Sequence, residues 1–215
     1  VRDEAGHVTA IVEQADATPE QLAIREYNVS AYCFQAEWLW SALEEIPISP
    51  KGEYYLTDVV GLAVDQGFQV DSLVLEDATE AIGINNRIHL ATAEKRMRQR
   101  INEAWMLSGV TLVNPENTYI EAEVEIGQDT VILPNTHLRG KTVIGEGCRI
   151  GPGTVLWNTR VGDQVEIIAS FAESAELFDG VTMGPYCHLR KGAVLKEGVH
   201  LGNFGEVKDS VLGEE

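Results

Sequence analysis

From residue 120 onward the chain keeps time in sixes. Ile120, Ile126, Ile132, Leu138, Ile144, Ile150 and Leu156 follow one another at that spacing, and after an irregular stretch the beat resumes at Met183, Leu189, Leu195, Leu201 and Val207. Two places before each stands a small or β-branched residue: Val124, Thr130, Thr136, Thr142, Cys148 and Thr154, then Cys187, Ala193, Val199 and Gly205. Residues two apart on a strand point to the same side, so aliphatic and small residue together face inward. Glycine often follows the aliphatic, as at Gly127, Gly145, Gly151, Gly184 and Gly202, where a tight turn needs backbone angles closed to other residues. A fixed period of this kind means stacked units that bury a shared core, as in solenoids and β-helices.

Before Gly109 the pattern is different. Strand signals at 7–13 and 26–34 are followed by a helix near 35–46, a second helix opened by Thr57 and Asp58 near 57–66, and a strand at 69–75. Alternating strands and helices imply a layered, mostly parallel α/β sheet. The segment 91–107 has no glycine or proline and stops at Ser108-Gly109, which reads as one long helix. Its polar surface, with Arg96, Arg98 and Arg100 close together, suits a solvated connecting arm.

The formal charge of −18 argues against nucleic acid or an anionic membrane as partner, because both are bound by clustered cations. An anionic substrate must then be held by a few local ones. Three cysteines, Cys33, Cys148 and Cys187, without CxxC spacing are read as free thiols of a reducing compartment. No apolar run approaches the roughly 18 residues that span a bilayer, no signal peptide precedes the first strand signal, and the expected location is cytoplasmic. The chain opens at Val1, close to strand-like alternation, as a piece of a longer chain would.

The hexads resemble those of left-handed parallel β-helix acyltransferases, whose three-sided coils take three hexads each and which usually form trimers. Upstream, VTAIVEQADAT (8–18), EYN (26–28), GEYYLTD (52–58) and GINNR (83–87), with HLGNFGEVK (200–208) downstream, stand in the order and spacing of bacterial N-acetylglucosamine-1-phosphate uridyltransferase/glucosamine-1-phosphate acetyltransferase. This resemblance runs over essentially the whole chain. It implies residues 1–90 as the C-terminal part of a Rossmann-like nucleotidyltransferase domain, 91–109 as a helical arm, and 110–215 as the opening coils of an all-β left-handed β-helix. It also implies UMP transfer from UTP to N-acetylglucosamine-1-phosphate, and acetyl transfer from acetyl-CoA to glucosamine-1-phosphate, by a homotrimer that uses Mg2+.

Carried over by position, Glu13 and Asn28 look like contacts to the N-acetylglucosamine moiety, and Asn85 resembles the Mg2+ ligand. Arg190 and Lys208 resemble the pair that grips the phosphate of glucosamine-1-phosphate. A hard oxygen-ligated cation suits the negative oxygens that meet in nucleotidyl transfer, and an Arg fork beside a Lys point charge suits a phosphate. The family's opening Gly-rich loop and the aspartate that shares the metal are not in these 215 residues, and its acetyl-transfer base, a His on a later coil, is expected beyond Glu215. The chain by itself is therefore expected to be inactive in both reactions and, cut within a coil, to self-associate. Val29-Ser30 stands where the family favours Thr-Gly, Ala15 replaces a common Lys, and Gly205 replaces an aliphatic.

Plainer readings stand beside these. Glu13 and Asn28 would otherwise be a strand-end carboxylate and a turn residue, Asn85 a loop residue before a helix, and Arg190 with Lys208 a solvated face. His137, His188 and His200 precede inward aliphatics and are read as outward surface or interface residues rather than a metal site. Cys148 and Cys187 are read as core packing, as are Trp38, Trp40 and Trp105 on helices. Two other functions remain open: a sugar-1-phosphate nucleotidyltransferase for another hexose with a β-helix tail, and a non-catalytic trimerisation module.

Overall fold

The structure, a computed structural model, describes residues 1–49 and 51–213, and divides into a first unit, Val1–Gly83, and a second, Ile84–Glu215. In the first unit a short helix α1 (Pro19–Leu22) comes first, and α2 (Ala36–Glu45) and α3 (Asp58–Asp65) form where their patterns place them. α1 is opened by a capping box, Thr18 accepting from the Gln21 N–H while the Gln21 side chain accepts from the Thr18 N–H. α2 and α3 bury Ala42, Ile46 and Val59 against each other, with Phe34, Trp38 and Leu62 around them. The Trp38 indole N–H donates to Gln66 at 2.8 Å, and Trp38 also packs on Phe34 and Phe68.

No strand ladder forms at 7–13, 26–34 or 69–75, where strands are expected. Among the described residues of this unit the only β pairings are two isolated antiparallel bridges, Arg2 to Val8 and Ile48 to Tyr54. A strand is stabilised by its neighbours' backbone and side chains rather than by its own sequence, and these three segments run without a ladder. Apolar side chains of the last segment are accordingly left in water, Leu73 at 90% and Val74 at 71% exposure.

The second unit is a parallel solenoid with three six-stranded sheets. The first sheet runs from Thr111–Leu112 through Val131–Ile132, Arg149–Ile150, Glu166–Ile167 and Thr182–Met183 to His200–Leu201. The second, which carries the candidate site, stacks Thr118–Ile120, Thr136–Arg139, Val155–Trp157, Phe171–Glu173, His188–Leu189 and Glu206–Val207. The third stacks six strands from Glu125–Ile126 to Val211–Leu212. Every pairing is parallel, and the inward aliphatics stack coil over coil: Ile120, Leu138, Leu156, Ala172, Leu189 and Val207 on the second sheet.

The irregular stretch after Leu156 is solenoid too. Val161, Ile167, Ala172 and Leu177 fill it, all buried, with the step shortened from six residues to five at 156–161, 167–172 and 172–177. Each shortened corner turns on a non-glycine residue with φ of 41 to 49° (Asn158, Ala169, Ser174), whereas Asn135, Tyr186 and Phe204 at six-residue corners sit at 60 to 61°. The corner absorbs the missing residue, and the strands keep their alternation.

The glycines after the aliphatics have two separate reasons. Gly151 and Gly184 hold φ of 105° and 111°, the left-handed region expected of them. Gly145 does not. A Cβ there would lie 2.2 Å from Asp163 Oδ1 and 2.6 Å from the Gly162 backbone, so close approach of the next coil is what excludes a side chain.

The small inward position is also more than small. The hydroxyls of Thr118, Thr130, Thr136, Thr142, Thr159 and Ser170, all buried, donate to backbone carbonyls at the corners, for example Thr130 to Gly145 at 2.8 Å and Thr136 to Leu133 at 2.7 Å. The buried thiols of Cys148 and Cys187 point at Gly162 and Gly202 carbonyls at 3.1 and 2.8 Å. Among the described residues, Thr154 is the one buried threonine of the solenoid whose Oγ1 has no partner.

The long helix is α4, Arg87–Leu107, four residues longer at its start than the 91–107 expected because Asn86 caps it, accepting from the His89 N–H at 2.9 Å. Its surface is mostly exposed, as its composition predicts, but one edge closes the solenoid. Ile101 and Trp105 pack on the solenoid core, and Asn102, 1% exposed, donates to the carbonyls of Pro115 and Thr118 at 2.8 and 3.1 Å. The Arg98 guanidinium lies over the Tyr119 ring at 4.6 Å, and Tyr119 stacks on His137 at 4.4 Å.

Candidate functional site

In the first unit Glu13 and Asn28 line one cavity of about 760 Å³, together with Tyr27, Ser30 and Tyr32. The segments that form no strand ladder make its walls. Glu13 is held from behind, for its Oε1 accepts from the buried Thr57 hydroxyl at 3.2 Å. Asp58, the residue after Thr57, has its pKa pushed above its ordinary value by burial and then by the charges of Glu13 and Asp16. Asn28 donates from Nδ2 to the Tyr32 hydroxyl at 2.5 Å, and Ser30 between them takes φ +60°. Another wall is tied by Arg2, which donates to Glu26 and to Ser72. That hydrogen bond raises the Arg2 pKa and lowers that of Glu26.

The first unit has three cations, Arg2, Arg25 and Lys51, against sixteen carboxylates. With Arg2 committed to Glu26, the cavity suits neutral hydroxyl and amide groups better than phosphates.

Asn85 belongs to the second unit, in the exposed turn before α4, where its N–H donates to His89 Nδ1 at 3.4 Å. Its amide oxygen is one hard donor. Mg2+ takes about six oxygens in an octahedron, and among the described residues no three His, Cys, Asp or Glu side chains gather as a metal site. The residues present do not amount to a magnesium site.

Arg190 and Lys208 stand in register on the outer face of the second sheet. Leu189 pairs with Val207, and the Arg190 N–H donates to the Val207 carbonyl at 2.9 Å, so the two cations occupy neighbouring coils of one outward column. Arg190 Nη1 also donates to Glu206 Oε1 at 3.2 Å, a contact with both side chains substantially exposed. A guanidinium with five donors keeps most of its fork after giving one to a carboxylate. Two residues before Arg190 on the same coil, His188 has its Nε2 3.9 Å from Glu173 of the preceding coil, and its ring meets that of Phe171 edge to face. The three histidines considered together lie on two sheets: His137 and His188 on the second, and His200 on the first, where its Nδ1 is 2.6 Å from Thr182 Oγ1.

Three neighbours of these side chains carry no functional mark of their own in the sequence. Thr57 and Glu206 lie inside quoted motifs, GEYYLTD and HLGNFGEVK, and their outward or cap positions were the available signal. Tyr32 had no signal beyond its place four residues after Asn28.

Residues 123–156 match the family model for the bacterial transferase hexapeptide (six repeats). Along all 215 residues the chain is 44% identical to the bifunctional protein GlmU of Heliobacterium modesticaldum (strain ATCC 51547 / Ice1) and 46% identical to that of Streptococcus agalactiae serotype V (strain ATCC BAA-611 / 2603 V/R), in each case covering 47% of the relative. The chain thus spans about half the length of the curated relatives it matches. Among solved structures, the acetyltransferase domain of PglB from Neisseria gonorrhoeae FA1090 covers 51% of this chain and 63% of its own at 18% identity, with a TM-score of 0.30.

Proposed function

We infer that this chain belongs to the family of the bifunctional protein GlmU, of which it represents about half the length, and that it serves the synthesis of UDP-N-acetylglucosamine. What carries the reading is that two halves of unlike grammar, an α/β unit and a hexapeptide solenoid, fall within one uninterrupted match at 44% identity. In this reading residues 1–90 are the closing part of the uridyltransferase domain, 91–109 its arm, and 110–215 the first coils of the acetyltransferase. The protein acts in the cytoplasm, as a homotrimer assembled through its solenoid.

In the first reaction a phosphate oxygen of N-acetylglucosamine-1-phosphate attacks the α-phosphorus of UTP, and pyrophosphate leaves. Glu13 and Asn28 bind the sugar. Thr57 restrains the Glu13 carboxylate, so that its remaining lone pairs accept sugar hydroxyls. Nucleotidyl transfer of this class draws on Mg2+ to neutralise the gathering phosphate oxygens, and Asn85 by itself does not make a site for it. In the second reaction the amine of glucosamine-1-phosphate attacks the thioester carbon of acetyl-CoA, the CoA thiolate leaves, and a base takes the ammonium proton. Here Arg190 and Lys208 hold the sugar's phosphate, the Arg by a directed fork and the Lys as a point charge, and Glu206 orients Arg190.

The complete gene product tests this. UTP with N-acetylglucosamine-1-phosphate is expected to be turned over well ahead of dTTP or ATP, or of glucose-1-phosphate; a preference for another pair would replace the reading with a different sugar nucleotidyltransferase. The 215-residue chain alone is expected to perform neither reaction.

A further inference from the structure

We propose that His188 is a third phosphate-holding residue beside Arg190 and Lys208, with its imidazole ring set by Glu173. This rests on the reading of Arg190 and Lys208 as the grip on the sugar's phosphate. Four outward positions on two successive coils make a square, because His188 pairs with Glu206 and Leu189 with Val207, which puts Arg190 beside Lys208. Arg190 closes one diagonal by donating to Glu206 at 3.2 Å. On the coil before, Phe171 pairs with His188 and Ala172 with Leu189, so Glu173 lies beside Arg190 and diagonally from His188.

Without His188 this patch sets two cations, Arg190 and Lys208, against two carboxylates, Glu173 and Glu206. A phosphate dianion then meets no net attraction, on a chain of formal charge −18. An imidazolium at 188 turns the patch positive. Neighbouring strands lie about 4.8 Å apart and alternate residues of one strand about 6.6 Å apart, which leaves His188 within side-chain reach of an anion seated over Arg190 and Lys208.

The state of the imidazole itself points to a ligand. Nε2 is enclosed and makes no hydrogen bond, since Glu173 Oε1 at 3.9 Å is too distant to accept one. Nδ1 is open: among the described residues it is neither enclosed nor hydrogen-bonded, and the side chain is 42% exposed. The Phe171 ring holds the imidazole edge to face at 5.0 Å. A buried nitrogen left unpaired is a standing cost. An anion that accepts from Nδ1 favours the imidazolium, which carries a proton on each nitrogen. A small rotation of the ring then lets Nε2 donate to Glu173, so that ligand and carboxylate hold one ring from two sides by charge-assisted bonds.

Acetyl-transfer kinetics of the complete gene product, with glucosamine-1-phosphate as the varied substrate, test this. His188→Phe keeps a ring against Phe171 and removes both nitrogens. It is expected to raise the KM for glucosamine-1-phosphate about tenfold, the worth of one charge-assisted hydrogen bond. The kcat should stay within about twofold, because the phosphate is held equally before and during the reaction. An unchanged KM for acetyl-CoA and an unchanged uridyl transfer rate report an intact fold. Lys191→Ala removes a whole charge one residue beyond Arg190 and should move the KM by less than about twofold. An unchanged KM in His188→Phe, or an equal rise in Lys191→Ala, overturns the proposal and leaves Arg190 and Lys208 as the phosphate grip. A normal KM in Arg190→Ala, or a gene product without acetyl transfer, overturns that reading and the proposal with it.

Discussion

Two threonines of the solenoid, alike in sequence and burial, are expected to respond in opposite directions to the same substitution. Thr130 and Thr154 both sit two residues before an inward aliphatic and both are fully buried. The Thr130 hydroxyl donates to the Gly145 carbonyl at 2.8 Å and accepts from the Cys148 N–H at 3.0 Å. The Thr154 hydroxyl has no partner. Valine replaces the hydroxyl by a methyl of nearly the same shape, and an extra buried methyl is worth about 0.8 kcal/mol. At 154 the change also removes an unsatisfied polar group that costs about 1–3 kcal/mol, so Thr154→Val should stabilise by about 1–2 kcal/mol after imperfect fit is allowed for. At 130 it strands a buried amide and a carbonyl, costing about 2–4 kcal/mol against the same methyl gain, so Thr130→Val should destabilise by about 2 kcal/mol. Urea unfolding followed by circular dichroism in the β-sheet band reads both as shifts of the midpoint at constant slope. A Thr154→Val midpoint at or below the parent's, or a Thr130→Val midpoint unchanged, would refute the hydroxyl accounting.

The remaining expectations are briefer. Asn102→Ala, which frees two carbonyls at the α4 seam, should cost about 2–4 kcal/mol in the same unfolding assay. Burial, then the Arg139 charge, hold His137 below its ordinary 6.5; as pH falls the unfolded chain takes the proton first, so solenoid stability drops as pH decreases below about 6.5, and His137→Phe should flatten that dependence. Asp58 is shifted the other way: the folded unit keeps a proton that the unfolded chain has lost, so stability falls as pH rises from the ordinary carboxylate value through the raised one. Asp58→Asn should therefore raise the melting temperature of the first unit at pH 7. Burial pushes the Cys148 thiol up, and Cys187 is buried while Cys33 is exposed; a thiol reagent should modify Cys33 at once and the other two only on unfolding.

The solenoid was legible because its period is written in side chains that face one way. What stayed hidden was how the period could shorten: with Val161, Ala172 and Leu177 off the six-residue beat, 157–182 reads as irregular although it is a coil like the others. The threonines were legible as small, not as donors, because the carbonyls they meet are turned toward them by the corner geometry, two to four residues away for most and fifteen for Thr130. In the first unit α2 and α3 were found by local pattern, but the strand segments were overcalled, since pairing depends on partners that a run such as 69–75 cannot specify. Glu13 and Asn28 stood out only through the motifs around them. Tyr32, meeting Asn28 through a bend at Ser30, needed coordinates.

The short corners make the outer surface of the solenoid indifferent to contour length. Along the second sheet, successive inward residues are separated by 18, 16, 17 and 18 positions from Leu138 to Val207, yet the rows above them do not drift sideways. A residue added to or deleted from a bend such as that at Asn158 or Ala169 should leave Arg190 beside Lys208. The same edit inside Phe171–Glu173 or His188–Leu189 would swap buried for solvent-facing side chains. Length polymorphism among relatives should accordingly collect at the bends.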